Sequence, residues 1–488
     1  MSVTSTTGDV RTASVAPAAG LSPSRGTGRA GLSLLYAALA VAAVSVLASR
    51  VPLVEAVALV AFPPLCLVLL RVPLLALALP LVVAPVGLTP LPVGGLQVIH
   101  LATITAIGGT VLAILAGRVG FRPPASLMFG AMFVAAMFAA TVVGVNPLAS
   151  IRVAANYLLG VCLAVCVGLV VRGSASSLRW LLRGWTLAAT VLIAPALPSA
   201  LRVSDRFGGS LVSGRVQGAF AQPNDFGEFS LLGAVAAGAL LATSTLRRDR
   251  LLGVVGLAVC LSGVAVSFSR GTWLGGLAAL LAIAVLSPRT RLAVGGLLTL
   301  IPVALLVGTA LGAQPFPTLV ARLVGLVTGA SNPADDRPIL YAQAWHVFLT
   351  HPVLGVGPGG FLATNYSADS LLIRRTYLHG HSVVLTVAAE DGIIGVLALL
   401  ALTVALGATV LAARRRLLAV GAVTLNARLA VLAAGLVGVA VHGLFDVVYT
   451  NPLLIPLAWF LAGLVAGESA RIIDQHPRPG GGRPVVVP

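Results

Sequence analysis

Long, solidly apolar stretches recur along the whole chain, separated for the most part by short polar connections. A helix needs about 20 apolar residues to cross the hydrocarbon of a bilayer. Stretches near that length lie at 31–49, 53–70, 73–90, 100–117, 126–145, 152–171, 179–198, 226–245, 251–268, 271–287, 292–312, 382–411, 428–444 and 450–467. A membrane β-barrel would alternate polar and apolar positions, and these runs do not. Without water to satisfy it, backbone inside a bilayer bonds to itself as helix. The pattern predicts an all-α, polytopic integral membrane protein of twelve to fourteen transmembrane helices, since the second and third stretches, divided by little more than Arg71, read equally as one re-entrant hairpin. Residues 1–30, rich in Ser, Thr, Gly, Ala and Pro, read as a disordered tail, too long and polar for an ordinary cleaved signal peptide. A second such tail spans 472–488, leaving a transmembrane domain over 31–471 with two long polar loops, 199–225 and 313–381.

Composition agrees: 58% of the residues are hydrophobic, 9% are charged and the mean hydropathy is +1.03, against about a quarter charged in a soluble domain. The net charge of +17 comes from 31 basic residues, all arginine and spread over short loops, a distribution that does not suggest nucleic acid as partner. With the N-terminus placed in the cytoplasm, 21 arginines fall on the inner side, as the positive-inside rule expects. Of the ten outer arginines, seven lie in the two long loops. An arginine that breaks the topological bias points to a ligand. Cys66, Cys162, Cys166 and Cys260 sit in apolar runs and read as small core residues, not as disulfides or metal ligands.

Candidate chemistry gathers on the outer side. GRVQGAFAQPNDFGEF carries Arg215 in a flexible stretch, then Asn224, placed either to cap a helix or to serve a site. SFSRGTWLGG puts Arg270 at the edge of the hydrocarbon, where an ionisable residue is costly, with Gly271 beside it for a close backbone approach. Arg337, Tyr341 and Trp345 recur at spacing four, beside a stripe of Leu340, Ala344 and Phe348, which predicts a short amphipathic helix on the membrane ahead of a glycine-rich turn, HPVLGVGPGGF. Asp335 and Asp336 are a lone acidic pair, too few ligands to argue for a metal, and no cofactor motif is present. HGHSVVLTVAAEDGIIG holds His379 and His381 at the mouth of an apolar helix and Glu390 further inside it. His381 is the stronger candidate base, with His379 as its rival. Asp446, in HGLFDVVYTNP, is placed either to orient an arginine or His381, or simply to end a helix.

Guanidinium forks match the paired oxygens of a diphosphate, and fixed cations at a low-dielectric boundary stabilise the charge that grows as it leaves. The outer face has no nucleotide sugars, so a donor there is lipid-linked. These residues allow glycan transfer from a polyprenyl diphosphate without singling it out. The order R..G.F..PN, SRG, R...W with GVGPG.F, and H(N/S)..L....E.G..G resembles the O-antigen ligase and O-antigen polymerase superfamily of bacterial envelope glycosyltransferases. The resemblance implies a GT-C-like all-helical fold and metal-independent, inverting transfer from an undecaprenyl diphosphate-linked glycan, at the extracytoplasmic face of the cytoplasmic (inner) membrane. It implies His381 as general base, Arg215, Arg270 and Arg337 on the donor diphosphate, and Glu390 as a structural partner, with Asn224, Asp446 and His379 in support. Ser382 stands where the family usually has Asn. The alternatives are a polymerase that uses a glycan acceptor instead of a lipid or protein one, and a membrane transporter, for which inverted repeats and midplane polar groups would be needed.

Overall fold

The apolar runs form helices, several of which begin at a proline (Pro73, Pro147, Pro223) or directly after a serine (Ser174, Ser269, Ser382). The computed structural model describes residues 68, 72–84, 87–89, 96–206, 211–220, 222–328, 337–364, 380–446 and 451–477, all within the unit Val68–Pro488. The span expected over 31–49, all but Val68 of the next, the tail 1–30, Asp335, Asp336 and His379 lie outside the described residues.

The helices are α1 (Pro73–Val83), α2 (Val98–Leu115), α3 (Met128–Thr141), α4 (Pro147–Gly173), α5 (Ala175–Ile193), α6 (Pro223–Thr243), α7 (Arg247–Val266), α8 (Arg270–Leu286), α9 (Arg291–Ala310), α10 (Phe316–Val327), α11 (Arg337–Thr350), the single turn α12 (Phe361–Thr364), α13 (Val383–Ala419), α14 (Val423–Gly443) and α15 (Leu454–Gln475). Among the described residues nine helical stretches are long and apolar enough to cross a membrane, while α1, α3, α8 and α10 are apolar but shorter. The protein is therefore an all-α, multi-pass membrane protein. The segment expected as loop 199–225 contains a small antiparallel pair, β1 (Ser204–Arg206) and β2 (Leu211–Ser213). The segment 313–381 is partly helical, through α10, α11 and α12. α15 runs to Gln475, into the expected tail, because Asp474 pairs with Arg172 and the Ile473 carbonyl accepts from Arg416.

α15 is buried along its length and packs parallel to α4, with Trp459 lying over Gly160. α6 packs antiparallel to α7 and to α14, and α14 antiparallel to α8, where a Cβ on Gly275 would come within 2.5 Å of the Gly438 carbonyl. Small residues let these helices approach closely. The alternation brings the starts of α6, α8, α13 and α15 and the ends of α7 and α14 to one end of the bundle. The other end holds the arginine-rich turns, tied by Arg183–Asp249 at 2.6 Å and by a buried cluster of Arg428, Glu468 and Arg471.

Candidate functional site at one end of the bundle

The turn between α7 and α8 sets the first wall. Phe268, fully buried, adopts the left-handed region (φ 52°), and Ser269 then caps α8 by accepting from the Thr272 amide at 3.3 Å. Arg270 is thereby fixed as the first residue of α8. Arg215, two residues past β2, donates through Nε to the Ser267 carbonyl at 2.9 Å and through Nη2 to Asn224 Oδ1 at 2.6 Å. Asn224 does not cap its helix: α6 has no side-chain cap, and the amide is taken up between Arg215 and Asp446, to whose Oδ2 it donates.

Asp446 is the meeting point. Arg337 Nη2, at the start of α11, lies 3.9 Å from Asp446 Oδ2, and His381 Nδ1 lies 3.5 Å from Oδ1. Tyr341, one turn along α11, donates to the His381 carbonyl at 3.5 Å. His381 itself is left-handed (φ 49°), a conformation that costs a residue with a Cβ about 1–2 kcal/mol. Such strain persists only where the surroundings impose it, and it recurs at functional sites.

The electrostatics follow from this crowding. Burial lowers the Arg215 pKa from its ordinary value to about 10; Asp446 works against that, and the charges of Arg337 and Arg270 add to it. Arg270 and Arg337 thus share one field with Arg215. Burial pushes the Asp446 carboxyl up, but the hydrogen bond from His381 and the charges of His442, Arg337 and His381 more than reverse it, holding it well below the ordinary carboxylate range. The structure therefore brings together Arg215, Arg270, Arg337, Asn224, His381 and Asp446.

Glu390 is elsewhere. It caps the glycine-rich turn, accepting from the Phe361 amide at 3.2 Å. Trp345, expected on the face of Arg337 and Tyr341, is half exposed, and the buried stripe of α11 is Leu340, Ala344 and Val347, with Val347 in place of Phe348. Ser382 precedes α13 without forming a side-chain cap.

Two residues went unrecognised in the sequence. Glu228, wholly buried on α6, accepts from His442 Nδ1 on α14 at 2.5 Å, and His442 Nε2 lies 3.9 Å from Asp446 Oδ2. A Cβ on Gly271 would meet the His442 ring at 2.5 Å, so the glycine of the SRG motif makes room for that imidazole. The available signal was an acid placed inside an apolar helix and a histidine one turn before Asp446. Among the described residues no three His, Cys, Asp or Glu side chains gather as a metal site would require.

An apolar cavity of about 520 Å³ lies between α6, α7, α8, α9, α10 and α14, its lining including Leu261, Trp273, Leu277, Leu298, Leu305 and Leu323. Trp273 stands one turn along α8 from Arg270.

Fold and site together define a multi-pass membrane protein with a cationic, histidine-bearing site at one end of its helix bundle. Residues 255–400, from the second half of α7 to the middle of α13, match the O-antigen ligase family, which supports placing the chain in the O-antigen ligase and polymerase superfamily, whose activity is glycan transfer from a lipid-linked donor to an acceptor in a membrane. The matched segment contains Arg270, Arg337, His381 and Glu390, while Arg215, Asn224 and Asp446 lie outside it. No curated protein matches the chain at a significant level.

Proposed function

We propose that the protein transfers a glycan from a polyprenyl diphosphate, of the undecaprenyl type, to an acceptor hydroxyl at the extracytoplasmic face of the cytoplasmic membrane, in the manner of an O-antigen ligase. The observation that carries the reading is the convergence of Arg215, Arg337 and His381 on Asp446, with Arg270 in the same field. Three guanidinium groups against one carboxylate leave an excess of positive charge for a dianionic ligand. The apolar cavity one turn from Arg270 suits the prenyl chain of such a ligand.

In this mechanism Asp446 holds the Nδ1–H of His381, which leaves Nε2 as the proton acceptor. The acceptor hydroxyl gives its proton to Nε2 as its oxygen forms the new bond to the anomeric carbon. The bond from that carbon to the diphosphate breaks on the opposite side, so the configuration inverts. The diphosphate leaves with the electron pair, and its charge is met by Arg215, Arg270 and Arg337.

The test is transfer by the full chain, reconstituted in vesicles, from a polyprenyl diphosphate-linked glycan. His381→Ala is expected to slow transfer by about 10²–10⁴-fold while donor binding stays near wild type. Normal turnover in that variant would remove His381 from the chemistry. A ladder of lengthening products, in place of a single transfer, would assign the same site to a polymerase.

A further inference from the structure

Glu228 and His442 touch none of the groups that would meet the donor, yet they form a polar pair in the middle of an apolar helix junction, 0% and 1% exposed at their side chains. Burying two ionisable groups is a poor stability device, since well-packed apolar residues do as well or better. What distinguishes the pair is its place. His442 lies in the last turn of α14 and Asp446 just beyond its end, and the ring presents Nδ1 to Glu228 and Nε2 towards Asp446, 3.9 Å away. Gly271, next to Arg270, is the residue that admits the ring.

We propose that Glu228 and His442 are positioning residues: a buried carboxylate–imidazolium pair behind Asp446 that holds this carboxylate towards His381 and sets the charge His381 faces. The inference rests on the reading of His381 as the base. The groups that face His381 and Asp446 are Arg337 and Tyr341 from α11, Arg215 from the stretch after β2, Arg270 from α8, Asp225 and Glu228 from α6, and His442 from α14. Of these, only His442 and Glu228 lie behind Asp446 as a joined pair, so each can be neutralised without altering a group assigned to the donor. The charge of His442 already contributes to holding Asp446 ionised.

The experiment follows carbethoxylation of His381 by diethyl pyrocarbonate, which attacks neutral imidazole, as a function of pH. The full chain is used in nanodiscs, with site-resolved readout by peptide mass spectrometry. Removing the positive charge in His442→Gln strengthens the pull of Asp446 on the His381 proton. The midpoint for His381 is therefore expected to rise by on the order of one pH unit. Glu228→Gln, of the same shape, removes the opposing negative charge and is expected to lower the midpoint. Opposite movements are what a purely structural pair would not produce. A midpoint that stays at the wild-type position in both variants overturns the proposal; if His442→Gln does not assemble, His442→Asn, smaller and equally uncharged, takes its place, with the same expected rise and the same overturning result. The chemistry needs no substrate, so a wild-type protein that transfers no glycan would sink the proposed function and leave this measurement standing.

Discussion

Asp446 is the residue on which the site closes. Its two oxygens face Asn224, Arg337, His381 and His442, groups drawn from four separate elements. Arg270 is the first residue of a capped helix, so its guanidinium has a fixed root. A lysine there keeps the charge but not the planar fork. Arg270→Lys is expected to lower transfer about a hundredfold with normal expression, measured as initial rates in vesicles; full turnover in that variant would contradict a forked diphosphate contact. The arginines were legible in the sequence because they violate a topological bias, a property each carries by itself. The role of Asn224 was not, because its partner Asp446 is 222 positions away and an Asn near a helix start has an ordinary local use. Glu228 and His442 stayed hidden for the same reason: each has meaning only beside the other.

Among the elements, α13 shows what the glycine motifs are for. The helix breaks at Gly392 (φ 62°), and the turn Pro352–Gly360 lays its backbone into the break. Val356 and Gly357 donate to the carbonyls of Ala389 and Glu390 at 3.0 and 2.8 Å, and Ile393 donates back to Pro352 at 2.8 Å. The GVGPG and E.G..G patterns are two halves of one joint, which anchors α11 and with it Arg337 and Tyr341. A Cβ on Gly392 would stand 2.3 Å from the Val353 carbonyl carbon, in a backbone region that side chains avoid. Gly392→Ala is expected to cost about 2–3 kcal/mol, read as a lowered melting temperature in detergent; an unchanged melt would mean the joint is not formed. On α8, Gly276 lines the apolar cavity and has room for a larger side chain, its nearest foreign atom lying 3.8 Å from a built Cβ. Gly276→Phe is expected to raise KM about tenfold for a long-chain polyprenyl donor and little for a short-chain one; equal effects on both would exclude the cavity as the prenyl site. Hydrophobic periodicity located these helices, but neither the break in α13 nor the cavity is a property of any single segment.

For the whole molecule, the two ends of the bundle differ in how they treat arginine. At one end Arg172, Arg183, Arg428 and Arg471 are paired with Asp474, Asp249 and Glu468. At the other, Arg215, Arg270 and Arg337 crowd around Asp446. Under the proposed function the chain inserts by the positive-inside rule, which keeps its arginine-rich short loops in the cytoplasm and turns the crowded end outward. The fold class and the separation into two ends were readable from apolar run lengths and loop charge, since both are sums over many residues. Which outer arginines meet was not, since that depends on α8, α11 and α14 arriving at one corner. Gln217, exposed near Arg215, and Ser176, exposed at the start of α5, mark the opposite ends. In a background with the native cysteines replaced, Gln217→Cys is expected to react with a membrane-impermeant thiol reagent on intact cells, and Ser176→Cys only after permeabilisation. The reverse pattern would put the arginines in the cytoplasm, where nucleotide sugars are at hand. The case for a lipid-linked donor would then rest on the cavity alone.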